Sequence, residues 1–133
     1  MEGRAVTVHD LEQAKIALTA AAAAGRPVVL LSAPATAHAI GPLYFASLVR
    51  AARAAVPDAI SASVLDCHKA AGRALAAMRM GFDAVVYVGS PETIEKLNDI
   101  GEPYRCEVLT ERPESLDLHE QADPDEALRK WFA

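Results

Sequence analysis

The stretch Val28-Val29-Leu30-Leu31-Ser32-Ala33 is an apolar run closing on two small residues, and it belongs to a series of strand-then-helix units. Comparable runs lie at Ala5–Val8, Ile60–Leu65, Ala84–Val88 and Cys106–Leu109, with a helical pattern after each of the first four strands and a capped helix at the C-terminus. This alternation predicts a mostly parallel sheet covered by helices, because parallel neighbours need a crossover and the helix supplies it. The expected fold class is α/β, with about five parallel strands, too few to close a (β/α)8 barrel.

The bulk properties suit one compact domain over residues 1–133, with roughly two-thirds of the unfolded surface buried. A hydrophobic share of 52% with only 5% aromatic residues fits alanine-rich helix faces packed closely on a sheet. The net charge of −5 and a pI near 5.3 leave no basic footprint for nucleic acid. No run of about 18 apolar residues exists, and Met1-Glu2-Gly3-Arg4 leads straight into a strand, so neither a membrane span nor a signal peptide is expected. Cys67 ends the third strand and Cys106 begins the fifth, which places them at opposite ends of a parallel sheet and beyond the ~7 Å Cα limit for a disulfide. Two reduced thiols fit a cytoplasmic protein.

Local signals mark the unit boundaries. Asp10 with Gln13 resembles a capping box, and Leu11, Ala14, Leu18 and Ala21 repeat at helical spacing until Gly25 and Pro27. Gly41-Pro42 opens a second helix with the inner stripe Phe45, Leu48, Val49, Ala52 and Val56. A third helix shows Ala71, Leu75 and Met78 on one face, and Ser90-Pro91 caps a fourth that carries Ile94 and Leu97. Residues 110–122 read as a polar connector, and Asp123-Pro124-Asp125-Glu126 starts a last helix over 123–133 that would bury Leu128, Trp131 and Phe132.

In such sheets function concentrates where the carboxyl ends of the strands meet the following loops. The first strand delivers His9 and Asp10, the second Ser32 with His38 further on, the third Asp66, Cys67 and His68, and the fourth Ser90. Polar residues must follow buried strands, so loop and cap chemistry is the plain reading of most of them. Asp66-Cys67-His68 stands apart, since an acid, a thiol and an imidazole in succession can supply a proton acceptor, a nucleophile or a metal ligand. The plain alternative is that Asp66 or His68 caps the third helix and Cys67 is a small buried residue.

These residues resemble a known family. Val8-His9-Asp10-Leu11-Glu12-Gln13, Gly25-Arg26-Pro27-Val28 and Ser32-Ala33-Pro34-Ala35 look like the first two βα units of class II fructose-bisphosphate aldolases. Val64-Leu65-Asp66-Cys67-His68 falls where those enzymes carry an aspartate followed directly by a zinc-ligating histidine, and Gly81-Phe82-Asp83-Ala84-Val85-Val86-Tyr87-Val88-Gly89-Ser90 is similar to their fourth strand. The resemblance runs from about residue 5 to about residue 110, the first half of the family's barrel. It implies that Asp66 handles a proton during carbon–carbon cleavage and that Ser32 helps hold a phosphorylated ketone. It also implies zinc as the cofactor, with Cys67 and His68 as the available ligands, although Cys67 stands in the histidine's place and Val88 replaces the strand-four aspartate. The family's remaining zinc histidines and phosphate loops come from the second half-barrel, so a complete aldolase site within these residues is not expected.

Five strands taken from a barrel would leave two unpaired edges and an uncovered apolar face. Two half-barrels meeting in a homo-oligomer, a dimer or higher even number, would cover them and could build a site shared between subunits. Rearrangement into an open, doubly wound, flavodoxin-like sheet is the other solution. That sheet admits a different class of function, a receiver-like signalling or partner-binding module, with Asp66 at the end of the third strand and Ser90 and Arg112-Pro113 near the expected hydroxyl and lysine-proline pair. A lone Asp10 and an arginine for a lysine fit that pattern poorly. The expected function is binding of a small carbonyl or phosphorylated ligand at a rim of His9, Ser32, His38, Asp66, Cys67, His68 and Ser90 by an aldolase-derived pseudoenzyme. If catalytic, it would be an aldehyde-lyase with Asp66 as acid or base.

Overall fold

The structure is a computed structural model that describes residues 1–34, 36 and 40–133. In chain order its described elements are β1 (Arg4–Val8), α1 (Leu11–Ala24), β2 (Val28–Ser32), α2 (Pro42–Ala55), β3 (Ser61–His68), α3 (Ala71–Arg79), β4 (Ala84–Tyr87), α4 (Pro91–Gly101), β5 (Glu107–Leu109), β6 (Ser115–Asp117) and α5 (Pro124–Trp131). Short 3-10 turns lie at Glu102–Tyr104 and Leu118–Glu120. The strands form one open parallel sheet in the order β5-β4-β3-β2-β1-β6. From β1 to β5 each strand is laid beside its predecessor, as in a segment of a barrel. The order reverses only at β1, which has β2 on one side and β6 on the other.

The sixth strand is the main departure from the sequence reading. It lies inside the polar stretch 110–122, pairs with β1 through Ala5 with Ser115, Val6 with Leu116 and Thr7 with Asp117, and is only half-buried. Three residues are too few to show a period-two alternation, so nothing in the local pattern marks them. The third strand also runs further than its apolar pattern, taking in Asp66, Cys67 and His68. It starts one residue later than expected, and Ile60 is exposed.

By internal contacts the chain divides into two compact units: residues 1–31, 47–62 and 113–133, and residues 32–46 and 63–112. In the first, α1 carries the buried stripe Ala14, Ala17, Leu18 and Ala21 and packs on α5. Asp10 caps α1 by accepting from the Gln13 N–H at 2.8 Å, while the Gln13 side chain accepts from the His9 N–H at 2.8 Å, a reciprocal box displaced by one residue. Gly25 ends the helix in the left-handed region, φ 64°, which costs glycine nothing. Gly3 has φ 111°, and a Cβ there would stand 2.6 Å from the Pro27 carbonyl oxygen. Leu128 and Phe132 of the last helical segment are buried, and Trp131 donates to the Ala5 carbonyl at 3.0 Å.

In the second unit α3 packs on α4 and β4, and α4 packs on β5. The buried face of α3 is Ala74, Ala77 and Met78. Phe45 stacks on Phe82 with ring centroids 6.0 Å apart. Ser90 caps α4 by accepting from the Thr93 N–H, with Pro91 in the first turn where a missing N–H is harmless.

Candidate functional site

The end of β3 is irregular. Asp66 pairs with Val86 of β4 and His68 with Tyr87, so Cys67 is the extra residue of a β-bulge, and His68 takes a left-handed backbone, φ 49°. Bulges at strand ends re-aim the side chains around them. The cap of α3 is Ala70, which offers no side-chain bond, so neither Asp66 nor His68 serves that helix start.

Asp66 is a buried carboxylate, its side chain 5% exposed, and both of its oxygens are engaged. Oδ1 accepts from the His68 backbone N–H at 2.9 Å. Oδ2 accepts from Arg112 Nη1 at 2.7 Å in a charge-assisted bond. The Asp66 N–H donates to Ser32 Oγ at 2.8 Å, and Arg112 Nη1 also donates to the Ser32 carbonyl oxygen at 2.9 Å. Ser32 is fully buried, so its hydroxyl acts on this site by fixing the strand that carries Asp66. Three residues from the end of β2, from β3 and from the segment after β5 thus form one hydrogen-bonded group. The sequence reading set Ser32 and Asp66 on the same rim with separate roles and placed Arg112 only in the receiver comparison. Its signal was that it is the sole cation of the stretch 110–122, while a carboxylate in an apolar strand needs one.

Cys67 does not open onto this group. It is fully buried, its thiol contacts the Leu65 carbonyl, and burial, followed by the negative charge of Asp66 and Cys106, pushes the thiol up to about 12. Cys106 is pushed up to about 11 by burial and by Asp83 and Glu107. Both cysteines are free. Among the described residues, no three His, Cys, Asp or Glu side chains gather closely enough to hold a metal ion. Among the described residues, Cys67, buried against the Leu65 carbonyl, and the exposed His68 do not converge as a pair of ligands.

The other rim candidates are placed as follows. His9 belongs to the first unit, where Nε2 lies 2.9 Å from Asp117 Oδ1 and its ring is 4.7 Å from that of His119. Asp117 also accepts from the His119 N–H at 3.0 Å, so one carboxylate organises both histidines at the carboxyl ends of β1 and β6. Ser90 is the exposed cap of α4. His38 lies outside the described residues.

An aspartate thus closes the third parallel strand, steadied by a serine from the end of the second. The family model of Fructose-bisphosphate aldolase class-II matches residues 4–100. The chain belongs to that family. No curated protein matches it. All seven expected rim positions, His9, Ser32, His38, Asp66, Cys67, His68 and Ser90, fall within the matched residues, whereas Arg112 lies beyond them.

Proposed function

We propose that this aldolase-family chain binds a small carbonyl or phosphorylated ligand beside Asp66 and does not carry out the complete aldolase reaction by itself. The observation that supports the reading is the group Ser32–Asp66–Arg112, which sets a carboxylate and a permanent cation against each other at a strand end. Asp66 is the residue to move a proton, and Ser32 and the His68 N–H hold it in place. With Oδ1 on a backbone N–H and Oδ2 on a guanidinium, each carboxylate oxygen has one lone pair engaged and one left to meet a ligand. A binding role, or a slow partial reaction such as proton exchange beside a carbonyl, is a better match than efficient carbon–carbon cleavage, because the described residues bring no three metal-ligating side chains together beside Asp66.

A site shared between subunits is the second reading, favoured by the two open sheet edges at β5 and β6. It makes the protein a homo-oligomer of even number. Free thiols support a cytoplasmic location. No described helix is long and apolar enough to cross a membrane.

The test is calorimetric titration with fructose bisphosphate, the compound in the family's name, on the wild type and Asp66→Ala, alongside native mass by sedimentation. Saturable heat that disappears in Asp66→Ala supports the reading. Equal affinity in the two proteins counts against it.

A further inference from the structure

We infer that Arg112 supplies the positive charge of the Asp66 site in place of a metal ion, so that a phosphorylated carbonyl compound is recognised there without zinc. The inference rests on the ligand reading above and adds the source of the charge. A buried carboxylate needs a cation, and in metal-dependent carbonyl chemistry the ion neutralises its ligands and attracts the substrate oxygen. Here the neutralising group is already part of the chain, 2.7 Å from Asp66 Oδ2.

Three further observations point the same way. The residue directly after the aspartate is a buried thiol bonded to the Leu65 carbonyl, set apart by the bulge from the surface that His68 faces. No three donor side chains converge among the described residues. Arg112 itself lies outside the residues 4–100 that match the family, in the segment following β5, so this charge comes from chain that the family match does not include.

A guanidinium suits the task. It is charged at every accessible pH, and its planar fork matches phosphate and carboxylate oxygens, whereas a lysine would present a point charge. Nη1 of Arg112 already spans the Ser32 carbonyl and Asp66, which fixes the plane of the fork. A ligand oxygen that draws on this guanidinium lies next to Asp66 Oδ2.

Two titrations test this separately from the ligand reading. In the first, the protein and Asp66→Asn are dialysed against zinc and the bound metal is measured, with no ligand present. The expected result is zinc well below one equivalent in both; stoichiometric zinc that is lost in Asp66→Asn overturns the inference whatever any ligand does. In the second, fructose bisphosphate is titrated by calorimetry in the presence of a chelator and again with added zinc, on the wild type, Arg112→Lys and Arg112→Gln. Affinity should be the same with chelator and with zinc, and should fall ~10-fold or more in Arg112→Gln, with a smaller fall in Arg112→Lys, which keeps the charge and guards against a folding defect. Affinity that needs zinc, or that is unchanged in both variants, overturns the inference. Absence of binding by the wild type in both conditions overturns the ligand reading, and with it this inference.

Discussion

Arg112 Nη1 stands 2.7 Å from Asp66 Oδ2 although 46 residues separate them in the chain. The contact closes a hydrogen-bonded group on a carboxylate that would otherwise be buried without a counter-charge. It also links the segment after β5 to the ends of β2 and β3 within one unit. Stability and site chemistry therefore depend on the same pair.

Removing one partner alone should be costly. Arg112→Met leaves a carboxylate that is 5% exposed without its cation, and about 3 kcal/mol is expected, the low end for a broken buried pair because the guanidinium is 27% exposed. The double variant Asp66→Asn with Arg112→Met should recover most of that loss, since no charge remains to be neutralised. Urea unfolding of the three proteins checks it. A double variant as unstable as the sum of the singles would mean that the pair is not coupled.

Much of the fold was legible because its signals are local. Asp10, Ser90 and Asp123 each cap the helix that the sequence assigned to them, accepting from Gln13, Thr93 and Glu126 respectively. The apolar runs became β1 to β5 with boundaries moved by a few residues. The short β6 was hidden because it has three half-buried residues and depends on pairing with β1, over 100 positions away. The site divided in the same way. Asp66 and Ser32 sit at strand ends, where a pattern can place them, but the partner of Asp66 is fixed only by the folded chain. Cys67 and His68 were read as a pair facing one rim, and the bulge between Asp66 and His68 separates a buried thiol from an exposed ring.

The two thiols should make the fold sensitive to alkali. Each has a folded value above its ordinary 9.0, about 12 for Cys67 and about 11 for Cys106, so the folded protein keeps protons that the unfolded chain releases. Their contribution is complete below pH 9 and is lost as pH rises through 9 toward about 11 and 12, with a slope approaching ~1.4 kcal/mol per pH unit for each thiol. Unfolding free energies measured from pH 8 to pH 11 should fall steeply in the wild type and less steeply in Cys67→Ala with Cys106→Ala. Parallel curves would refute the assignment. Native protein should also resist alkylation at pH 8, and both thiols should react once it is unfolded.

Asp117 should matter more than either histidine it holds. Its carboxylate accepts from His9 Nε2 and from the His119 N–H, so Asp117→Ala removes the first-turn cap of a 3-10 segment as well as an imidazole partner, about 1–2 kcal/mol in all. His9→Ala, at a partly exposed ring, should cost under about 1 kcal/mol. Thermal unfolding of the two variants ranks them, and a larger loss in His9→Ala would reverse the account.

Trp131 offers the last test, because two different interactions meet on one ring. Its N–H donates to the Ala5 carbonyl at 3.0 Å, and the Arg4 guanidinium lies 4.7 Å from the ring centroid. Trp131→Phe keeps an aromatic face but deletes the donor, and should cost about 1 kcal/mol. Arg4→Ala should cost about 0.5–1 kcal/mol when the indole is present and less beside phenylalanine, whose face attracts a cation more weakly. A double-mutant cycle by urea unfolding separates the two contributions. An Arg4→Ala loss of the same size in both backgrounds would show that the indole face holds the cation no better than a phenyl ring, leaving the hydrogen bond to β1 as what tryptophan in particular contributes at the end of α5.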